Sequence, residues 1–199
     1  MYRVVALRCF FDVVCPYSYI MGFEVEEAED EDGVEVEWLP FELRPAPAPL
    51  PEPRGEYIRG HWRGQVYGLA GRHGVEIHVP RYQPRSTLAL TLHGFAVEQG
   101  KGGPFRNAAH RAFFVEGLDI SDDAVLREAA REAGLDADAA LEAAWDPAGL
   151  AALRSTREEA LRLGVRGVPT VATAGEVLFY GAAEPGRLRP MLVKESGTR

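Results

Sequence analysis

The sequence predicts an α/β protein in which a block of helices interrupts a small sheet, and three observations carry that expectation. The chain opens on a strand–helix–strand pattern. Its middle reads as amphipathic helix for roughly 100 residues, and its end returns to two short apolar runs and a last helix.

Taken in order, Val4 to Val14 is rich in Val, Phe and Leu, the mark of a largely buried strand. It stops at Cys15-Pro16, and Pro suits a first helical turn because its missing N–H would have no intrahelical partner there. Ile20, Met21, Val25 and Ala28 recur at helical spacing, so a helix is expected from Pro16 to about Asp30, with Gly33 as its stop. Val34, Val36 and Trp38 alternate with Glu35 and Glu37, a second strand expected to pair parallel with the first. Pro45, Pro47, Pro49, Pro51 and Pro53 mark an extended connector. From Tyr57 to Arg81 glycines are frequent and no clean period emerges.

Helical signals then strengthen. Leu88, Leu92, Phe95, Ala96 and Gln99 define one face, and Phe105, Ala108, Ala109, Ala112 and Phe113 another. Ser121 with Asp122 and Asp123 opens a helix burying Val125, Leu126, Ala129 and Ala130; Asp136 caps a short one; Asp146-Pro147 opens one that reaches Leu163. Pro169–Thr173 and Val177–Tyr180 read as a hairpin around Ala174-Gly175-Glu176, with a final helix from about Pro185.

Charge and composition exclude several functions. With 22 Lys+Arg against 30 Asp+Glu the net charge is −8, the wrong sign for a dedicated nucleic-acid binder. No apolar run approaches the ~18 residues that span a bilayer. Asp12 interrupts the N-terminal apolar stretch, which lacks a signal-peptide layout, so a cytoplasmic chain is expected. His61, His73, His78, His93 and His110 lack metal-ligand spacing, no Gly-rich phosphate loop occurs, and no metal site is expected. Six arginines between Arg54 and Arg85 face only Glu56 and Glu76; they read as a solvated face partly pairing with the acidic tail of the first helix.

Two cysteines remain. In an extended segment Cys9 and Cys15 would stand roughly 20 Å apart, too far for the ~4.4–6.8 Å of a disulfide. Cys9 reads as a buried structural thiol. Cys15 lies where a strand ends and a helix begins, so unpaired amides and the helix dipole should depress its pKa.

The segment Phe11-Asp12-Val13-Val14-Cys15-Pro16-Tyr17-Ser18-Tyr19 resembles the active-site entry of the DsbA family of thioredoxin-fold proteins, in particular its FrnE-like branch. Trp38 to Leu43, His110 to Phe114 with Asp119-Ile120-Ser121, and Gly164 to Thr170 extend the resemblance over about Val4 to Leu192. It implies a thioredoxin-like domain built from 1–45 and 160–199, with an all-helical insertion over 46–159. It also implies a cis Val168-Pro169 bond beside the site. The family usually carries Cys-x-x-Cys, whereas this chain has Ser18. That departure leaves single-thiol chemistry through mixed disulfides.

The same segment is similar to kappa-class glutathione transferases and 2-hydroxychromene-2-carboxylate isomerases, which place Ser where this chain has Cys15. The resemblance thus implies Cys15 and Ser18 as catalytic residues, and Pro16, Tyr17, Val168, Pro169 and Thr170 as substrate-facing ones. It implies no tightly bound cofactor, a low-molecular-weight thiol such as glutathione as cosubstrate, and a thiol or disulfide substrate, protein or small molecule. Neither nucleic acid nor membrane is an expected partner, and a homodimer stays open. Three functions follow: a single-thiol oxidoreductase, a glutathione-dependent transferase or isomerase, and a non-catalytic binding module of the same fold.

Overall fold

The computed structural model describes residues 7–53 and 55–197, so residues 4–6 of the expected first strand and Arg54 of the basic run lie outside the described residues. Strand β1 (Leu7–Phe11) leads into helix α1 (Pro16–Asp32), which ends at Gly33 with φ of 68°, and then into β2 (Val36–Pro40). A positive φ suits Gly because it lacks a Cβ. Strands β1 and β2 pair parallel, with Cys9 opposite Trp38.

After the proline connector come α2 (Glu56–His61), a π-helical stretch (Trp62–Val66) and α3 (Tyr67–His73). Five more helices follow: α4 (Thr87–Glu98), α5 (Gly102–Phe114), α6 (Asp123–Glu132), α7 (Ala137–Trp145) and α8 (Pro147–Leu163). Strands β3 (Thr170–Ala172) and β4 (Val177–Tyr180) and helix α9 (Leu188–Ser196) close the chain. The sheet order is β2-β1-β3-β4, with β3 antiparallel to both neighbours. This is the thioredoxin-like architecture of a mixed sheet and many helices.

The alternation of β1 sets up two cores. Leu7, Cys9 and Phe11 face the larger one with Ile20, Met21 and Val25 of α1. Phe10 faces the opposite side, where it packs with Cys15, Phe41, Ala160, Val165 and Val168. Cys15 therefore belongs to the layer beneath α8, whereas Cys9 belongs to the main core.

Three expectations need correction. The stretch after the connector is helical despite its weak pattern: Ile58, Trp62, Val66, Leu69 and Ala70 form its buried face. Helix α4 buries more than the expected stripe, since Ala89, Leu90, Thr91 and His93 are also inside, and it packs against α5, α7, α8 and β2. Among the described residues, no arginine of the basic run pairs with the acidic tail of α1. Arg189 of α9 takes Glu31 at 2.7 Å and Asp32 at 2.6 Å, and Arg106 takes Glu26 at 2.5 Å while lying over the Trp38 ring. Buried Glu24 accepts the N–H groups of Gly186, Leu188 and Arg189, fastening α9 to α1.

Candidate active site

Cys15 is the N-cap residue of α1, in extended conformation at φ −91° and ψ 114°, with Pro16 following at the first helical position. Its N–H donates to the Asp12 carbonyl at 3.0 Å, a turn that carries the chain from β1 into the helix. Its thiol donates to the Val168 carbonyl at 3.3 Å, across 153 positions of sequence. The Val168-Pro169 bond is cis, as is Ala46-Pro47 in the connector. The cis-proline loop is held by two further bonds: the Thr170 hydroxyl donates to Gly167 O at 2.7 Å, and Gly181 N–H donates to Pro169 O at 2.9 Å.

The electrostatics of Cys15 run against the sequence expectation. Burial pushes its thiol up to about 11, opposed by hydrogen bonds from the Ser18 N–H, the Ser18 hydroxyl and the Tyr17 N–H, and reinforced by the Asp12 charge. Helix-start amides do favour the thiolate, yet a side chain only 4% exposed loses more from desolvation than they return. In this resting geometry Cys15 is a protonated donor. Cys9, within the main core, is pushed further, to about 12. Both thiols are free.

Asp12 lies beneath the turn, fully buried. Its carboxylate accepts Leu43 N–H at 2.8 Å and Val14 N–H at 3.3 Å. Burial nevertheless raises its pKa to about 7. Ser18 is 1% exposed, and its oxygen accepts Asp12 N–H at 3.4 Å.

Above Cys15 opens a groove of about 340 Å³. Of the residues singled out from sequence, Cys15, Pro16, Tyr17 and Val168 line it. Ser18, Pro169 and Thr170 do not: they are buried behind it, and the Thr170 hydroxyl is spent on Gly167 O. One wall is the proline connector, held by Arg85, which donates to Arg44 O at 2.7 Å and Ala48 O at 2.9 Å. The facing wall is α2 and its π-helical continuation, with Tyr57, Ile58, His61 and Trp62.

Tyr17 ties that wall to the active-site helix. Its hydroxyl donates to Gln65 Oε1 at 3.0 Å and lies 3.2 Å from His61 Nε2, and the Tyr57 ring stacks on the His61 ring. Tyr180 closes the far end, its hydroxyl end against Gly167, where a Cβ would come within 2.7 Å of it. Arg44, Arg85 and Arg166 line the groove, and no Asp or Glu does among the described residues. Sequence reasoning missed His61, Gln65, Tyr180, Arg44 and Arg166 as site residues, and a 4-4-3 spacing from Ile58 was the available signal for the wall. Among the described residues no group of three His, Cys, Asp or Glu side chains could hold a metal, and no helix is long and apolar enough to cross a membrane.

A helix-capping cysteine facing a cis-proline loop across a mixed β-α-β/β-β-α sheet defines a thioredoxin-fold protein with a thiol site. The pattern of the DSBA-like thioredoxin domain matches residues 6–192, and the chain belongs to that family. It is 34% identical over 186 residues to the protein YwbO of Bacillus subtilis strain 168, covering 90% of this chain and 91% of that one. It is 26% identical over 190 residues to a 2-hydroxychromene-2-carboxylate isomerase of Sphingobium xenophagum, covering 86% and 90%. Among solved structures, a probable DsbA oxidoreductase of Streptomyces coelicolor superposes with a TM-score of 0.77 at 26% identity, covering 98% of this chain and 91% of that chain.

Proposed function

We propose that the protein is a single-thiol, FrnE-like thiol-disulfide oxidoreductase that works through mixed disulfides on Cys15, with a low-molecular-weight thiol such as glutathione as cosubstrate. The observation that supports it is the pairing of Cys15 with Val168 O at the floor of a cation-lined groove, with a hydroxyl at position 18. Cys15 is the nucleophile. Ser18 and the Tyr17 amide stabilise the thiolate once it forms. Pro16, Tyr17 and Val168 contact the substrate, while Pro169 and Thr170 shape the loop that does so. Ser18 cannot resolve a mixed disulfide, so a second thiol from solution must. The reading places the protein in a reducing, cytoplasmic setting, where such a thiol is abundant.

The second reading is a glutathione-dependent transferase or isomerase. The Cys-Pro-Tyr-Ser stretch and the identity to the Sphingobium isomerase favour it. Incubation with glutathione disulfide followed by peptide mass spectrometry separates them. The oxidoreductase reading expects one adduct on Cys15, none on Cys9, and loss of all turnover in Cys15→Ser. Glutathione-dependent turnover surviving in Cys15→Ser would replace it with the second reading.

A further inference from the structure

We infer that His61 is the proton carrier of the groove, serving the sulfur that leaves or enters opposite Cys15; this rests on the single-thiol reading above. Three observations lead there. His61 lines the same 340 Å³ groove as Cys15, from the facing wall. Its Nε2 is positioned at 3.2 Å by the Tyr17 hydroxyl, two residues along α1 from the nucleophile, and its ring is held flat by Tyr57. Among the described residues lining the groove, His61 carries the one imidazole, a group that both accepts and donates a proton, whereas the guanidinium groups of Arg44, Arg85 and Arg166 offer no acceptor and burial raises Tyr17 above its ordinary phenol value. A molecule bonded to Cys15 occupies the groove that His61 also lines.

Cys15 releases its proton to solvent, and its sulfur attacks a disulfide R–S–S–R′. The Cys15–S–R bond forms and the S–R′ sulfur leaves with the electron pair, reduced, while Cys15 is oxidised to the mixed disulfide. Protonated His61 gives its proton to the departing R′S⁻. In the second half a resolving thiol R″SH gives its proton to His61 and attacks the sulfur of R. R–S–S–R″ departs, and the Cys15 thiolate recovers a proton from solvent and returns to Val168 O. His61 ends as it began.

The test uses two neutral disulfides that differ in leaving group. An alkyl thiolate needs a proton to leave well, whereas an aryl or pyridyl thiolate does not. Rates of mixed-disulfide formation on Cys15 are measured with bis(2-hydroxyethyl) disulfide and with 4,4′-dithiodipyridine, in wild type and in His61→Gln. Gln keeps an amide nitrogen near the Nε2 position, so the Tyr17 contact survives. Loss of a general acid is expected to slow the alkyl reaction by about 100-fold or more and to leave the pyridyl reaction within about twofold. Added imidazole is expected to restore the alkyl rate of a His61→Ala variant. Equal slowing of both reactions, or no slowing of either, would overturn the assignment while leaving the single-thiol reading intact. If wild-type Cys15 forms a mixed disulfide with neither probe, the single-thiol reading fails, and His61 with it.

Discussion

The Cys15 thiol donates to the Val168 carbonyl at 3.3 Å, so the cysteine at the head of α1 is joined through its own proton to the cis-proline loop. Burial, not this contact, is what keeps that proton on the sulfur. With the thiol pushed up to about 11, about one molecule in 10⁴ carries the thiolate at pH 7. Alkylation of Cys15 by iodoacetamide is therefore expected to climb through pH 9 without a plateau, while Cys9, 1% exposed within the sheet, stays unlabelled in the native protein. Rates followed against pH with peptide mapping check this. A midpoint below the ordinary thiol value of about 8.5 would show that the buried geometry is not the reactive one.

Asp12 offers a second titration with its own sign. Its carboxyl titrates near 7 when folded, against about 3.9 when unfolded. The folded state therefore holds the proton more tightly, and this contribution to stability is complete below pH 4. It is lost as the pH rises to 7. Asp12→Asn is expected to remove that slope from urea unfolding measured between pH 4 and 7. It also costs stability, because an amide NH₂ must then face either Leu43 N–H or Val14 N–H. Removing the negative charge should in addition lower the Cys15 midpoint, since Asp12 raises it.

The strands, the capping residues Asp122, Asp136 and Asp146, and the α1 boundaries were legible because each is set by neighbours in sequence. The cysteine at the head of α1 was legible for the same reason. What local pattern could not give was anything decided by distant partners. Whether Cys15 is a thiolate depends on how far the groove walls and the Val168 loop bury it, and those walls come from positions 43 to 62, 80 to 86 and 166 to 180. The partners of the α1 acidic tail are Arg189, from the last helix, and Arg106, from α5, and among the described residues no arginine of the nearer basic run. Helices α2 and α3 were obscured by Gly60, Gly64, Gly68 and Gly71, which lower helix propensity although tertiary packing of Trp62 and Val66 overrides it.

Gly167 carries the Tyr180 ring that ends the groove. A Cβ there would lie 2.7 Å from the Tyr180 hydroxyl and 3.0 Å from its ring. Tyr180 is 63% exposed, so it can swing aside and relieve the clash cheaply. Gly167→Ala should therefore change unfolding free energy by less than about 1 kcal/mol, yet weaken retention of a groove ligand, as Tyr180→Ala also should. Calorimetric titration with glutathione disulfide on Cys15→Ala backgrounds, beside thermal unfolding, checks both halves.

His93 is fully buried with neither ring nitrogen hydrogen-bonded, set edge-on to Phe11 with ring centroids 4.8 Å apart. Burial, with Arg106 nearby, lowers its pKa to about 3, so the ring is neutral when folded and protonated below about pH 6.5 when unfolded. Its contribution to stability is present above pH 6.5 and lost as the pH falls towards 3. Replacing two unsatisfied nitrogens by hydrocarbon is expected to be neutral or to stabilise by up to about 2 kcal/mol. His93→Leu should then match or exceed the wild-type Tm at pH 7 and lose less of it at pH 5. A drop of several degrees at pH 7 would mean that the nitrogens have a partner the ring contacts do not reveal.

Position 18 decides which sulfur chemistry the fold can run. Ser18 sits in the first turn of α1, 1% exposed, with its hydroxyl directed to Cys15 and its oxygen accepting Asp12 N–H. A Cys there is nearly isosteric, so Ser18→Cys should fold with little loss. Its new sulfur would lie one helical turn from Cys15, close enough to attack a Cys15 mixed disulfide intramolecularly and release the product. Oxidation of reduced ribonuclease should accordingly be poor in wild type, raised by at least tenfold in Ser18→Cys, and absent in Cys15→Ser. Ser18→Ala provides the control: without the hydroxyl the Cys15 midpoint should move further up, slowing mixed-disulfide formation without creating dithiol activity. Wild-type oxidation equal to that of Ser18→Cys would mean that resolution already comes from solution fast enough to make a second cysteine irrelevant.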